Sequence, residues 1–205
     1  MKIETYTEFL FVMIRRILLS ASVIALSLIT CQTSAKASIE FPESCRMGSC
    51  RQATLESKEA LRSNALGTLY LINQTIESYP QDNYNSELAE QDYQRFVNYY
   101  GTDFVVEQDQ QYVFCSKSVP SVLFESEDRY YVWRLALFDS PSTASRSAHQ
   151  TYLATCHNLA GPDYFSLSVQ TMLIREGYTT RYVKQDNQFN VANPLEIMEL
   201  YPESY

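Results

Sequence analysis

The chain has 205 residues, with 24 acidic against 16 basic side chains and a formal net charge of −8. That length suits one domain with a real core, and an acidic balance without any Lys/Arg run argues against nucleic acid and anionic lipid as partners. Only five glycines and two histidines occur, which leaves little for phosphate-cradling loops or for acid–base work near neutral pH.

Residues 17–30 form an apolar run, preceded by Arg15 and Arg16 and followed by Ala35-Lys36-Ala37. Basic, apolar, then A-x-A is the order of a secretory signal peptide, and the run is shorter than the roughly 20 residues a membrane span needs. The reading is therefore a signal peptide over 1–37 and a single extracytoplasmic domain over 38–205, periplasmic or secreted, with no membrane span in the mature chain. Met13 begins Met-Ile-Arg-Arg and offers an alternative start. Leu28-Ile29-Thr30-Cys31 also has the order of a lipobox, with Thr30 where a smaller residue is usual, so a lipid anchor on Cys31 is the alternative to cleavage after Ala37. The first 37 residues hold two acidic and four basic residues, so 22 and 12 remain and the mature net charge is −10.

Four cysteines remain after Cys31 is removed: Cys45, Cys50, Cys115 and Cys156. An even number in an exported chain predicts two disulfides. Of three connectivities, Cys45–Cys50 with Cys115–Cys156 is preferred, because Gly48 permits the turn that a five-residue separation requires. Zinc is disfavoured by the C-x₄-C spacing and the scarcity of histidine.

In chain order, Leu61, Ala65, Leu69, Ile72 and Ile76 recur at spacings of three and four, which predicts a first helix over 51–78, stopped by Pro80. A polar loop (81–86) leads to a second helix over 87–100, with Ala89, Tyr93, Phe96, Val97 and Tyr100 on one face and Gly101 at its end. Runs rich in Val, Tyr and Phe then predict strands over 103–106, 111–116, 119–124 and 129–138. The last holds the only Trp, Trp133, and reads as the central strand. Residues 142–160 read as a helix through Ala144, Ala148, Tyr152, Cys156 and Leu159; a strand over 151–156 is the competing reading. A further helix is predicted over 163–176, ended by Gly177, then a hairpin of 178–184 with 188–192. Together these predict an α+β fold, N-terminal helices packed on a short antiparallel β-sheet and disulfide-stabilised.

No nucleophile elbow, P-loop, zinc-protease or dinucleotide motif is present. Cys156 and His157 are sequence neighbours and so point apart. His149 and His157 lie more than two helical turns apart and read as surface histidines. Glu125, Glu127 and Asp128 fall in a polar turn, where solvated carboxylates make poor general acids. Asn73-Gln74-Thr75 matches a glycosylation sequon but sits inside the predicted first helix. No catalytic, cofactor-binding or metal residue is assigned, and no cofactor. The 16 tyrosines suit either packing or contacts to protein and glycan.

Ser57-Lys58-Glu59-Ala60-Leu61-Arg62-Ser63-Asn64-Ala65-Leu66-Gly67-Thr68-Leu69 followed by Gln74, the run from Tyr130 to Phe138, and Thr151–Cys156 together resemble the type IV pilin-like proteins of cyanobacteria. The resemblance covers about residues 52–157 and implies an N-terminal helix leading into an antiparallel sheet, with 151–156 as a late strand. The prepilin processing site and its long apolar helix are absent, so it implies a pilin-like headpiece on an ordinary signal peptide. The functional expectation is an exported, non-enzymatic envelope or extracellular protein acting through contacts with other such proteins. The alternative is a periplasmic module that binds a small ligand or glycan.

Overall fold

Residues 51–78, predicted as one helix, instead form most of a long β-hairpin. The computed structural model describes residues 38–46, 48–81, 86–142, 144–161, 165–179 and 186–199. The signal-peptide and lipobox readings over 1–37, and most of the strand expected over 178–184, lie outside them. The described strands are β1 (Ile39–Glu40), β2 (Ser44–Arg46), β3 (Ser49–Asn64), β4 (Gly67–Pro80), β5 (Val105–Ser116), β6 (Ser121–Ser126), β7 (Arg129–Arg134) and β8 (Asn187–Val191). They make one antiparallel sheet in the order β1-β3-β4-β5-β6-β7-β8, with β2 also paired to β3. The α+β expectation is thus corrected. The molecule is a large antiparallel sheet carrying a few short helices, not helices on a small sheet.

The reason lies in β3 and β4. The side chain of Asn64 accepts the N–H groups of Leu66 and Gly67 at 2.9 and 3.1 Å, a local turn that competes with helix. A Cβ on Gly67 would sit 2.3 Å from the carbonyl oxygen of Cys115, so glycine lets β4 enter the sheet against β5. Beyond the turn, β4 alternates: Tyr70, Ile72, Gln74 and Ile76 take one face, Leu69 and Leu71 the other. Of the apolar stripe that suggested a helix, Leu61 is 43 % exposed and Ala65 is in the turn. Leu69 and Ile72 are fully buried, but on opposite sides of the sheet.

Two strand boundaries also move. The sequence predicts separate strands over 103–106 and 111–116; β5 runs unbroken from Val105 through the polar Glu107–Gln111, each of its residues paired to β4. The Trp133 strand stops at Arg134 and lies second from the β8 edge, so the centre of the sheet is β5. The helices follow their apolar periodicity more closely. They are α1 (Ser86–Tyr100), α2 (Arg146–His157) and α3 (Leu167–Arg175). Thr151–Cys156, a strand in the competing reading and in the pilin-like comparison, lies within α2.

The sheet has a core on each face. On one side Leu55, Ile72, Val113 and Val122 pack beneath Ala148, Tyr152 and Leu153 of α2 and Leu173 of α3. On the other, Leu69, Phe114, Leu123 and Val132 meet Ile197 and Met198 of a 3₁₀ turn, Pro194–Glu199. Each fully buried aliphatic side chain contributes about 2 kcal/mol of apolar burial. All described elements belong to one compact unit, Ala37–Tyr205, and among the described residues no helix is long and apolar enough to cross a membrane.

Candidate ligand-binding groove

The α2 helix lies across β3, β5 and β6, and its two ends are tied down by different chemistry. At the C-terminal end Cys156 is bonded to Cys115 of β5, with Cα atoms 5.6 Å apart. Lys58 of β3 donates to the carbonyl of Thr155 at 2.7 Å and to Asn158 Oδ1 at 3.2 Å, a cation on the negative end of the helix. At the N-terminal end the carboxylate of Asp186 accepts the Ala136 N–H at 2.7 Å and meets His149 Nε2 at 3.0 Å. Burial alone would raise the Asp186 carboxyl, but hydrogen bonds from His149, Ser145 and Ala136 outweigh it and hold it below its ordinary value.

His149 is buried, to 1 % exposure, and His157 is half-buried, so the surface reading is corrected. Each instead faces a carboxylate, His149 that of Asp186 and His157 that of Glu176. No spacing rule reaches these pairs, because both acids come from distant loops.

His157 sits in a second chain of contacts. Its Nδ1 lies 3.0 Å from Glu176 and its Nε2 3.0 Å from the Tyr178 hydroxyl. That hydroxyl lies 2.9 Å from the one on Tyr152, which donates to the Ser116 carbonyl at 2.9 Å. Carboxylate, imidazole and hydroxyl in this order resemble a nucleophile relay. The environment opposes that use. Burial raises the Tyr178 and Tyr152 hydroxyls, Tyr152 well above its ordinary range, and Tyr152 is wholly enclosed. An activated nucleophile needs the opposite shift. Burial also lowers His157, against the opposing pull of Glu176. The chain ties the segment after α3 to α2 and β5.

The hairpin β2–β3 holds the other disulfide, Cys45–Cys50, whose residues are register partners. Glu43 Oε1, with the two sulfurs, makes a compact set of ligand-type atoms. The sulfurs are already bonded to each other, and Glu43 accepts the Tyr79 hydroxyl, so the set is a carboxylate beside a disulfide. Glu125, Glu127 and Asp128 are exposed at the β6–β7 turn, as the polar-turn reading anticipates. Asn73 of the sequon lies on β4, bonded to Ser57 and Gln110.

What these anchors frame is a groove of about 390 Å³ between α2 and the α2-facing side of the sheet. Phe41, Phe124 and Trp133 supply its aromatic surface, and Gln74, Gln111 and Gln150 supply amides. Gln74 is 2 % exposed, yet the bond from its Nε2 to Thr151 Oγ1 is a long 3.4 Å; a buried amide faces the groove with capacity left for a ligand. Arg51, Arg146 and Asp109 are the groove's charged side chains. Arg51 pairs with Glu107 at 3.8 Å, and Asp109 accepts from Gln111 at 2.7 Å. Of this set the sequence singles out Trp133, and Gln74 only inside the sequon and the pilin-like run; Gln111 and Phe124 fall in predicted strands and Gln150 in a predicted helix, whereas Arg51, Gln74 and Asp109 come from strands that the sequence reads as helix or loop. No protein family, curated protein or solved structure matches the chain.

Proposed function

We propose that the chain is an exported, non-enzymatic binding module that takes a small polar ligand in the groove between the sheet and α2. The observation that carries this reading is the buried amide of Gln74 at the floor of a cavity walled by aromatic rings. Ligand sites are concave, with few well-placed polar groups among apolar ones. Export is supported by the basic–apolar–A-x-A order of residues 15–37 and by two disulfides. A binding role is favoured over glycoside hydrolysis because, among the described lining residues, the one carboxylate is Asp109, and that chemistry needs a pair.

The only tryptophan of the chain lies in the groove, so its emission reports occupancy. Sugars, sugar acids and short peptides titrated into the purified chain should include one class that shifts Trp133 emission saturably. Ser147, exposed on the groove side of α2, gives the control: Ser147→Phe should fill the opening and abolish the response. Unchanged emission with every class, or a response that survives Ser147→Phe, would refute the reading. A second reading, contact with another protein, is supported by the exposed aromatic residues Tyr99 and Tyr100 at the end of α1 and Phe104 just beyond it. Tyr99→Ala would then weaken that contact and leave Trp133 emission untouched.

A further inference from the structure

We propose that the ligand of the groove is an uncharged oligosaccharide, laid across β5 to β8 on an aromatic platform that continues beyond the cavity. This rests on the groove being the binding site and names its substrate class.

The register of the sheet carries the argument. On the α2-facing side, Gln111 of β5 is paired to Phe124 of β6, Phe124 to Tyr131 of β7, and Tyr131 to Asn190 of β8. These four make one lateral row. Neighbouring strands lie about 4.8 Å apart, so the row spans about 14 Å from Gln111 to Asn190, enough for a few sugar rings. Its middle is a pair of rings, Phe124 and Tyr131, with centroids 5.9 Å apart and planes 13° from parallel. Trp133 stands two residues along β7 and therefore on the same face. Phe124 and Trp133 line the groove, while Tyr131, 41 % exposed, extends the surface beyond it.

Flat apolar rings flanked by amides match the two surfaces of a pyranose. Its C–H face stacks on an aromatic ring, and its equatorial hydroxyls pair with groups that both donate and accept. Amides sit at each end of the row, Gln111 and Asn190, with the exposed Gln188 opposite Trp133. A strong excess of one charge would select a charged ligand, and the three ionic residues lining the groove, Arg51, Arg146 and Asp109, leave little excess once Arg51 is paired outside it. Arg51 is paired with Glu107, and Asp109 is bonded by Gln111. A uronate or an acidic peptide would also meet the −10 charge of residues 38–205.

The test titrates the purified chain with cello- and chito-oligosaccharides, oligogalacturonate and a proline-rich peptide, following Trp133 emission and heat. Neutral oligosaccharides should bind with an affinity that hardly changes between low and high salt, since no ion pair is formed. Lengthening from a disaccharide to a tetrasaccharide should strengthen binding. Tyr131→Ala should weaken tetrasaccharide binding about tenfold while leaving disaccharide binding within about twofold, because a stacked aromatic contact contributes roughly one factor of ten. The exposed Tyr99→Ala serves as control and should change neither. Binding of galacturonate or peptide with no neutral-sugar response would overturn the saccharide assignment and leave the groove standing. Neutral-sugar binding indifferent to Tyr131→Ala would overturn the platform. Silence of Trp133 toward every probe would defeat the groove itself.

Discussion

Replacing the two disulfides separately tests how the fold is held. Cys115–Cys156 closes a ring across 41 residues of separation and joins α2 to the middle of the sheet, whereas Cys45–Cys50 closes a separation of five within one hairpin. The loop-entropy relation gives about 4 kcal/mol for the first and about 2 kcal/mol for the second. In a chain of this size these correspond to losses of roughly 8–16 °C and 4–8 °C in melting temperature. Alanine is the right replacement for Cys115 and Cys156, both packed against the core. Cys115→Ala/Cys156→Ala should still fold, because Lys58 at Thr155 and Asp186 at His149 hold the two ends of α2 independently. Urea and thermal unfolding of the two double variants, without reductant, read the difference directly. Equal losses, or a larger loss from the hairpin ring, would refute the claim that the long ring anchors α2.

Three further outcomes follow from particular contacts. Gly67→Ala should cost about 2–3 kcal/mol in urea unfolding, since its Cβ would meet the Cys115 carbonyl at 2.3 Å and one strand must give way; a neutral result would remove the reason given for the hairpin. The Asp186 carboxyl is held below its ordinary value, so its contribution is present above the unfolded pKa of about 3.9 and is lost as pH falls through the folded one. Asp186→Asn should accordingly flatten the acid limb of the stability–pH curve, and an unchanged limb would show that the carboxylate is not the clamp. His157 is lowered by burial, with Glu176 opposing and Lys117 and Lys58 adding to the shift. Its contribution is therefore present above the unfolded pKa of about 6.5 and is lost as pH falls through the folded value; an imidazole NMR titration midpoint above 6.5 would contradict this.

The elements that could be read from sequence were those whose apolar period favoured one interpretation, for α2 over a competing strand. Phe96 and its helical neighbours gave α1, Ala148 and Tyr152 gave α2, and Val122 and Val132 gave β6 and β7. The β3–β4 hairpin was hidden because Leu69, Ile72 and Ile76 satisfy a helical spacing while alternating across a strand, so period alone could not decide. The side chains that could have decided are Asn64 and Gly67, an Asn turn and a glycine three residues on, flanked by β-branched and aromatic residues. For the site, Trp133 was visible as the sole Trp. Neither Gln74, whose sequon and pilin-like run point to other roles, nor Gln111 carries a ligand-site motif, and their meeting with Phe124 depends on strand register, which local sequence does not encode. The carboxylate partners of His149 and His157 are likewise long-range products of the fold, 37 and 19 residues away.

Where a ligand lands decides most directly whether the groove is the binding site. Side-chain amides and the indole N–H are separately visible by NMR, so a tetrasaccharide titrated into the purified chain maps its own site. The account predicts saturable shifts in the Gln74, Gln111 and Gln150 amides and in the Trp133 indole, all lining the groove, with the same midpoint. Shifts confined to the aromatic end of α1 around Tyr99 and Phe104, with the groove amides unmoved, would contradict it.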